Sequence, residues 1–154
     1  MISIYSSVEN NQLTKLENIE PGCWINMIDP SDEELIFISK NTNVPMDFLR
    51  AALDEEETSR IDIEDCTLII LDIPFTDMDD NSLTYDTYPI AMIHTDKVII
   101  TVCLINSKVL SDFAEGKISS FYTFKRSRFM LQILYRIANY YLIYLRQIDK
   151  KSYK

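Results

Sequence analysis

Cys66-Thr67-Leu68-Ile69-Ile70-Leu71-Asp72-Ile73-Pro74 is a near-continuous apolar run that a proline closes. Its composition predicts a buried strand ending at Pro74. Asp77-Met78-Asp79-Asp80-Asn81-Ser82 follows as a polar loop, and Leu83 to His94 returns as a strand. Asp96-Lys97 makes a tight turn into a third strand, Val98 to Leu104. Strands in this order read as consecutive hairpins, hence antiparallel pairing.

Outward toward the N-terminus, Arg60 to Ile63 alternates polar and apolar, as a half-exposed strand does. Before it, Met46 to Leu53 predicts a helix with Phe48, Leu49 and Ala52 on one side. Asn43-Val44-Pro45 separates it from an earlier helix, which runs through Leu35, Ile36, Ile38 and Ser39 toward Asn41. Asp29-Pro30-Ser31-Asp32-Glu33-Glu34 starts that helix: Asp29 as the cap, Pro30 in the first turn, acids at the positive end of the dipole. Gly22 introduces Cys23 to Ile28, a strand buried on both faces. Ile2 to Tyr5 and Gln12 to Leu16 read as short strands joined by a turn at Asn10-Asn11.

Outward toward the C-terminus, Asn106 or Ser107 caps a short helix ending near Gly116. From Phe121 the pattern is helical to the end. Met130, Leu134, Ile137, Tyr141, Leu145 and Ile148 form one stripe, with Phe129, Ile133, Tyr140 and Tyr144 beside it. So broad an apolar surface needs packing on more than one side. Lys150 to Lys154 offers no stop signal, so the chain is expected to be cut within a longer helix. Helices before and after a mixed, largely antiparallel sheet predict an α/β fold, a three-layer αβα sandwich.

A chain of 154 residues, 47% hydrophobic and 25% charged, fits one domain with a real core. Its net charge of −9 is unevenly spread. Residues 1–124 hold 7 Lys and Arg against 23 Asp and Glu, and residues 125–154 hold 8 against one, Asp149. The body is therefore −16 and the last helix +7. That argues against nucleic acid as a partner, because a phosphate-binding domain shows a basic face on its body. Cys23, Cys66 and Cys103 lie far apart in apolar stretches, which predicts reduced core thiols. No signal peptide opens the chain, and the longest clean apolar run, Val98 to Ile105, is too short to cross a membrane. The chain as given is expected to be soluble.

Candidate chemistry is sparse. Two glycines exclude the usual phosphate cradles, and the sole histidine, His94, has no obvious nucleophile beside it. Asp77-x-Asp79-x-Asn81 copies the start of a calcium loop, then Ser82 replaces the needed glycine and Tyr88 the bidentate glutamate. The aromatic and arginine side chains of the last helix read as core rather than as an RNA platform. There remains Ala51-Ala52-Leu53-Asp54-Glu55-Glu56-Glu57-Thr58-Ser59-Arg60-Ile61, whose four consecutive carboxylates close a helix. Acids there oppose the helix dipole, so local stability does not explain them. Read alone they are a solvated acidic turn, with Arg60 able to pair with one, or a metal site of open geometry.

Leu53-Asp54-Glu55-Glu56 with Arg60-Ile61 resembles a segment in the amino-terminal cytoplasmic domain of CorA-type magnesium and cobalt transporters. Trp24-Ile25-Asn26 with Asp29-Pro30 and Glu33-Glu34-Leu35 is similar to that family's Trp-Ile/Val-Asn strand and following helix. Tyr85-Asp86-Thr87-Tyr88-Pro89-Ile90 through Ile99-Ile100-Thr101-Val102 resembles its later strand pair. The resemblance runs from about Trp24 to the end of the chain. It implies a cytoplasmic body over residues 1–120 and the start of a stalk helix over 121–154. It also implies Mg²⁺ and Co²⁺ as regulatory and transported ions, a homopentamer, and attachment to the cell membrane through a segment outside these residues. In the best-known members a sensing aspartate lies two residues before the pivot leucine, where this chain has Ala51. Asp54, Glu55 and Glu56 are close enough to substitute as metal ligands. The pore's Gly-Met-Asn signature and both membrane helices are absent from these residues, so the expected role is regulation and assembly rather than catalysis or transport alone. Two other readings stand beside it: a free-standing acidic protein-interaction domain, and a metal-dependent hydrolase using Glu55 to Glu57.

Overall fold

The computed structural model of this chain describes residues 1–8 and 12–152. The turn expected at Asn10-Asn11 lies outside them. Among the described residues seven strands form one sheet: β1 (Ile2–Val8), β2 (Gln12–Leu16), β3 (Trp24–Ile28), β4 (Arg60–Ile63), β5 (Thr67–Asp79), β6 (Ser82–His94) and β7 (Ile99–Cys103). Their order across the sheet is β2-β1-β3-β7-β6-β5-β4. Only β3 and β7 pair parallel; β4-β5, β5-β6 and β6-β7 are the antiparallel succession expected from the apolar runs. Four α-helices flank it: α1 (Asp32–Thr42), α2 (Met46–Arg50), α3 (Lys108–Ala114) and α4 (Arg126–Ser152).

The sheet separates two cores, which makes the molecule the expected αβα sandwich. On one face Leu35, Ile38, Phe48 and Leu49 of α1 and α2 pack on Ile25, Leu68, Ile70 and Ile93. On the other, Val109 and Phe113 of α3 and Phe129, Ile133 and Ile137 of α4 pack on Trp24, Ile90, Met92 and Ile99. β3 reads as buried on both faces because it serves both cores. Within it, the Trp24 indole donates to Thr101 Oγ1 (2.8 Å), and that hydroxyl donates to Asn26 Oδ1 (3.0 Å). Three buried polar groups are thereby satisfied together.

Several boundaries differ from expectation for local reasons. Ser31, not Asp29, caps α1: its Oγ accepts from the Glu34 N–H (3.2 Å), and Glu34 Oε1 accepts from the Ser31 N–H (3.0 Å). Spacing of three residues closes this reciprocal box. Asp29 instead turns the chain out of the sheet at φ +43, its N–H donating to the Cys103 carbonyl (2.9 Å). The helix expected over Met46–Leu53 tightens at Ala51–Leu53 into a 3-10 turn.

β5 does not stop at Pro74; it runs to Asp79 and pairs with β6 along its whole length. The predicted polar loop shrinks to Asp80-Asn81, at φ +45 and +63, the left-handed pair of a tight hairpin turn. β4 ends opposite Ile70 and β7 ends opposite Ile90, so Pro74 and Pro89 lie just beyond the flanking strands. No ladder asks for their missing N–H on that side.

α4 begins at Arg126 rather than Phe121. The preceding residues are held to β1 instead: the Ser7 N–H donates to Thr123 Oγ1 (3.0 Å) and the Thr123 N–H to Ser7 Oγ (2.9 Å). Phe129, Met130, Ile133, Ile137 and Tyr144 are buried, whereas Leu145 and Ile148 of the expected stripe are exposed.

Candidate functional site

Asp54 to Glu57 follow the 3-10 turn on an exposed bend between α2 and β4. Core packing places them there. Ala51 and Ala52 bury against the α1–α2 face of the sheet, and the chain then turns outward at Asp54. Asp54 Oδ1 accepts from the Glu56 N–H (3.0 Å), and its carbonyl accepts from the Glu57 N–H (3.1 Å), which pins the bend. Glu57 pairs with the Arg60 guanidinium, whose Nε also reaches Asp62 Oδ2 (2.9 Å). Arg60 thus neutralises the end of the run, as its position suggested. Glu55 and Glu56 project into solvent. No three His, Cys, Asp or Glu side chains converge as a metal-holding group among the described residues. The Ala51 position is only 6% exposed and packed in the core, so a carboxylate there would be buried rather than displayed.

Several titratable groups elsewhere serve the fold. Asp112 on α3 is buried, and its Oδ2 accepts from Arg136 Nε (3.1 Å), Arg136 Nη2 (3.0 Å) and the Tyr140 hydroxyl (2.7 Å). Burial and that hydrogen bond push the Tyr140 hydroxyl up to about 12. This cross-link of α3 to α4 escaped the sequence reading. Its only trace there is Arg136 and Tyr140, one helical turn apart on the broad helix. His94 lies 3.5 Å from Ser127 Oγ, and burial with the nearby Arg126 lowers its pKa, which favours the neutral ring. The three cysteines are free and buried, and burial raises each thiol above its ordinary range. Asp77 and Asp79 lie in β5, and Asp77 Oδ1 accepts from its neighbour's N–H, Met78 (2.9 Å). The calcium-like spacing is therefore a hairpin end.

No helix among the described residues is long and apolar enough to cross a membrane. Over 80 residues the chain is 35% identical to the cobalt/magnesium transport protein CorA of Methanocaldococcus jannaschii, covering 49% of this chain and 25% of that protein. The solved soluble domain of CorA from the same organism matches 98% of this chain at 25% identity with a TM-score of 0.76, over 61% of its own length. The complete structure of that transporter matches at 20% identity and the same TM-score of 0.76, with 98% of this chain and 48% of the transporter covered. The cytoplasmic domain of ZntB from Vibrio parahaemolyticus shares the fold, at 18% identity and a TM-score of 0.69, covering 96% of this chain and 62% of that one. The chain thus spans a quarter of the curated relative and less than two thirds of each of these structures. Residues 20–154 match the family described as CorA-like Mg²⁺ transporter protein, and the chain belongs to that family.

Proposed function

We propose that this chain is a regulatory and assembly domain of a transporter for Mg²⁺, with Co²⁺ as a second ion, acting at the cytoplasmic face of the cell membrane. Residues 1–120 serve as the body and 121–154 as the start of a stalk, and five copies assemble around the pore. Asp54, Glu55 and Glu56 hold Mg²⁺ where one copy's acidic bend meets its neighbour. The observation that carries this reading is the bend itself, a fixed turn presenting carboxylates outward on a domain of CorA-like fold. One copy supplies ligands from one side only, which leaves the remaining positions to water or to a second copy, and bound metal then screens the repulsion between acidic bodies. Loss of the ion loosens the contact, which is how such a site regulates.

Of the three carboxylates in the hydrolase reading, Glu55 to Glu57, Glu57 is engaged by Arg60. Titration calorimetry with MgCl₂, on this chain and on the Asp54→Ala/Glu55→Ala/Glu56→Ala variant, tests the assignment. The wild type is expected to show saturable binding that weakens by about tenfold or more without the three carboxylates, a loss of about 1.4 kcal/mol or more. Equal binding by both proteins refutes the site. CoCl₂ in place of MgCl₂ tests the second ion in the same way.

A further inference from the structure

Between the first turns of α4 and the segment that joins it to α3 lies a groove of about 620 Å³. That is within the range of small-molecule sites, roughly 300 to 1,000 Å³. Arg128, Leu131, Gln132, Tyr135 and Arg136 of α4 line it. At 100° per residue they fall within about 140° of the helix circumference, so one face presents them together. The face is graded. Leu131 and Tyr135 hold its outer border, exposed at 66% and 70% and outside the core below. Arg128 and Gln132 lie mid-face, and Arg136 holds the border toward α3, where it meets Asp112. The opposite wall is Lys117 to Ser119. That segment is pinned by the Lys117 N–H, which donates to the Asp112 carbonyl (2.9 Å).

The polar groups of the groove have capacity to spare. Asp112 takes up Nε and Nη2 of Arg136, which orients the guanidinium and leaves Nη1 for another acceptor. Lys117 pairs with Glu115 (2.9 Å), so these two cations are matched by two carboxylates. Arg128 is exposed and makes no ion pair among the described residues, which leaves the groove one positive charge in surplus. Gln132, between the two arginines, donates from Nε2 to the Ser120 carbonyl (3.4 Å). Its Oε1 is buried and accepts no hydrogen bond among the described residues. A buried acceptor left unmet costs free energy that a bound donor returns.

These features select a ligand. The exposed Tyr135 ring with Leu131 suits a flat aromatic body. Arg128 and the free edge of Arg136 suit a phosphate, and the unmet Gln132 acceptor suits a hydroxyl or an amine. Phosphate alone would leave the apolar border bare, and an uncharged ring would leave Arg128 unanswered. We infer that this groove is a nucleotide site: the base lies on Tyr135 and Leu131, a ribose hydroxyl or base amine donates to Gln132 Oε1, and the phosphates meet Arg128 and Arg136 Nη1. Recognition runs through side chains, so it needs none of the glycine loops that the sequence lacks. The site lies on the α3–α4 face of the sheet, opposite the α1–α2 layer that leads into the acidic bend.

The probe is ADP, titrated into this chain by calorimetry in EDTA, so that no divalent ion bridges ligand and protein and the acidic bend plays no part. Adenosine and inorganic phosphate are titrated in parallel. ADP is expected to bind saturably, and about tenfold or more tightly than either fragment. Arg128→Gln removes the unpaired cation and Tyr135→Ala the stacking ring, and each is expected to weaken ADP binding by about tenfold. Both side chains are exposed, so unchanged melting confirms intact folding. No saturable ADP binding, a fragment that binds as tightly as ADP, or unchanged affinity in either variant overturns the proposal.

Discussion

Ser31 and Glu34 form an exposed contact at the start of α1 that is readily tested. Ser31→Ala removes an N-cap and is expected to lower stability by about 1 kcal/mol in urea unfolding. Glu34 has a pKa below the ordinary carboxylate value of 4.5, chiefly because the Ser31 N–H donates to it, with the N-terminal ammonium adding to the effect. A carboxyl with a lowered folded-state pKa contributes stability that is present above 4.5 and lost as the pH falls below it. Glu34→Gln should therefore narrow its deficit against the wild type between pH 7 and pH 3, and a constant deficit contradicts the contact. At Asp112 the burial is deeper. Asp112→Ala leaves Arg136 and Tyr140 without their shared acceptor, and is expected to cost about 2 kcal/mol, read as a lower urea midpoint at unchanged slope. Neither residue's role was plain in the sequence. The Ser31–Glu34 spacing was there, but Asp29-Pro30 offered a competing cap, and only the Asp29 N–H bond to Cys103 decides between them. Asp112 reads as one polar residue in a short helix until α4 lies across it.

At the scale of elements, the long β5-β6 hairpin depends on Asp80-Asn81 holding left-handed backbone at both central positions. Asn81→Gly is expected to raise the melting temperature by a few degrees, and Asn81→Val to lower it, because a β-branched side chain resists positive φ. A thermal melt by circular dichroism ranks the three proteins, and any other order contradicts the turn. Strand identity was legible from composition: β4 and β2 start and stop where the residue pattern places them. The extent of β5 was not. Pro74 reads as a stop signal along the chain, and only the neighbouring strand lengths show that its missing N–H faces no partner there. α4 shows the same limit. A broad apolar helix announces that more than one side is meant to pack, but which stripe meets the sheet depends on Ser7 and Thr123 fixing where the helix begins.

Across the whole molecule, an acidic body over residues 1–124 carries a basic final helix packed on one face of its sheet. The sandwich and the family were both readable from residues, because the Trp24 strand, the acidic bend and the β6-β7 pair carry the resemblance in the right order. The proposed metal site was legible only as a list of carboxylates, because Asp54 to Glu56 face outward and converge with no further ligands among the described residues. The central claim is that Mg²⁺ at this bend joins copies of the domain. Sedimentation velocity of this chain in MgCl₂ and in EDTA, beside the Asp54→Ala/Glu55→Ala/Glu56→Ala variant, measures it directly. The account predicts Mg²⁺-dependent association in the wild type that EDTA reverses and the variant lacks. Sedimentation that is the same with and without the ion, or association that persists in the variant, contradicts it.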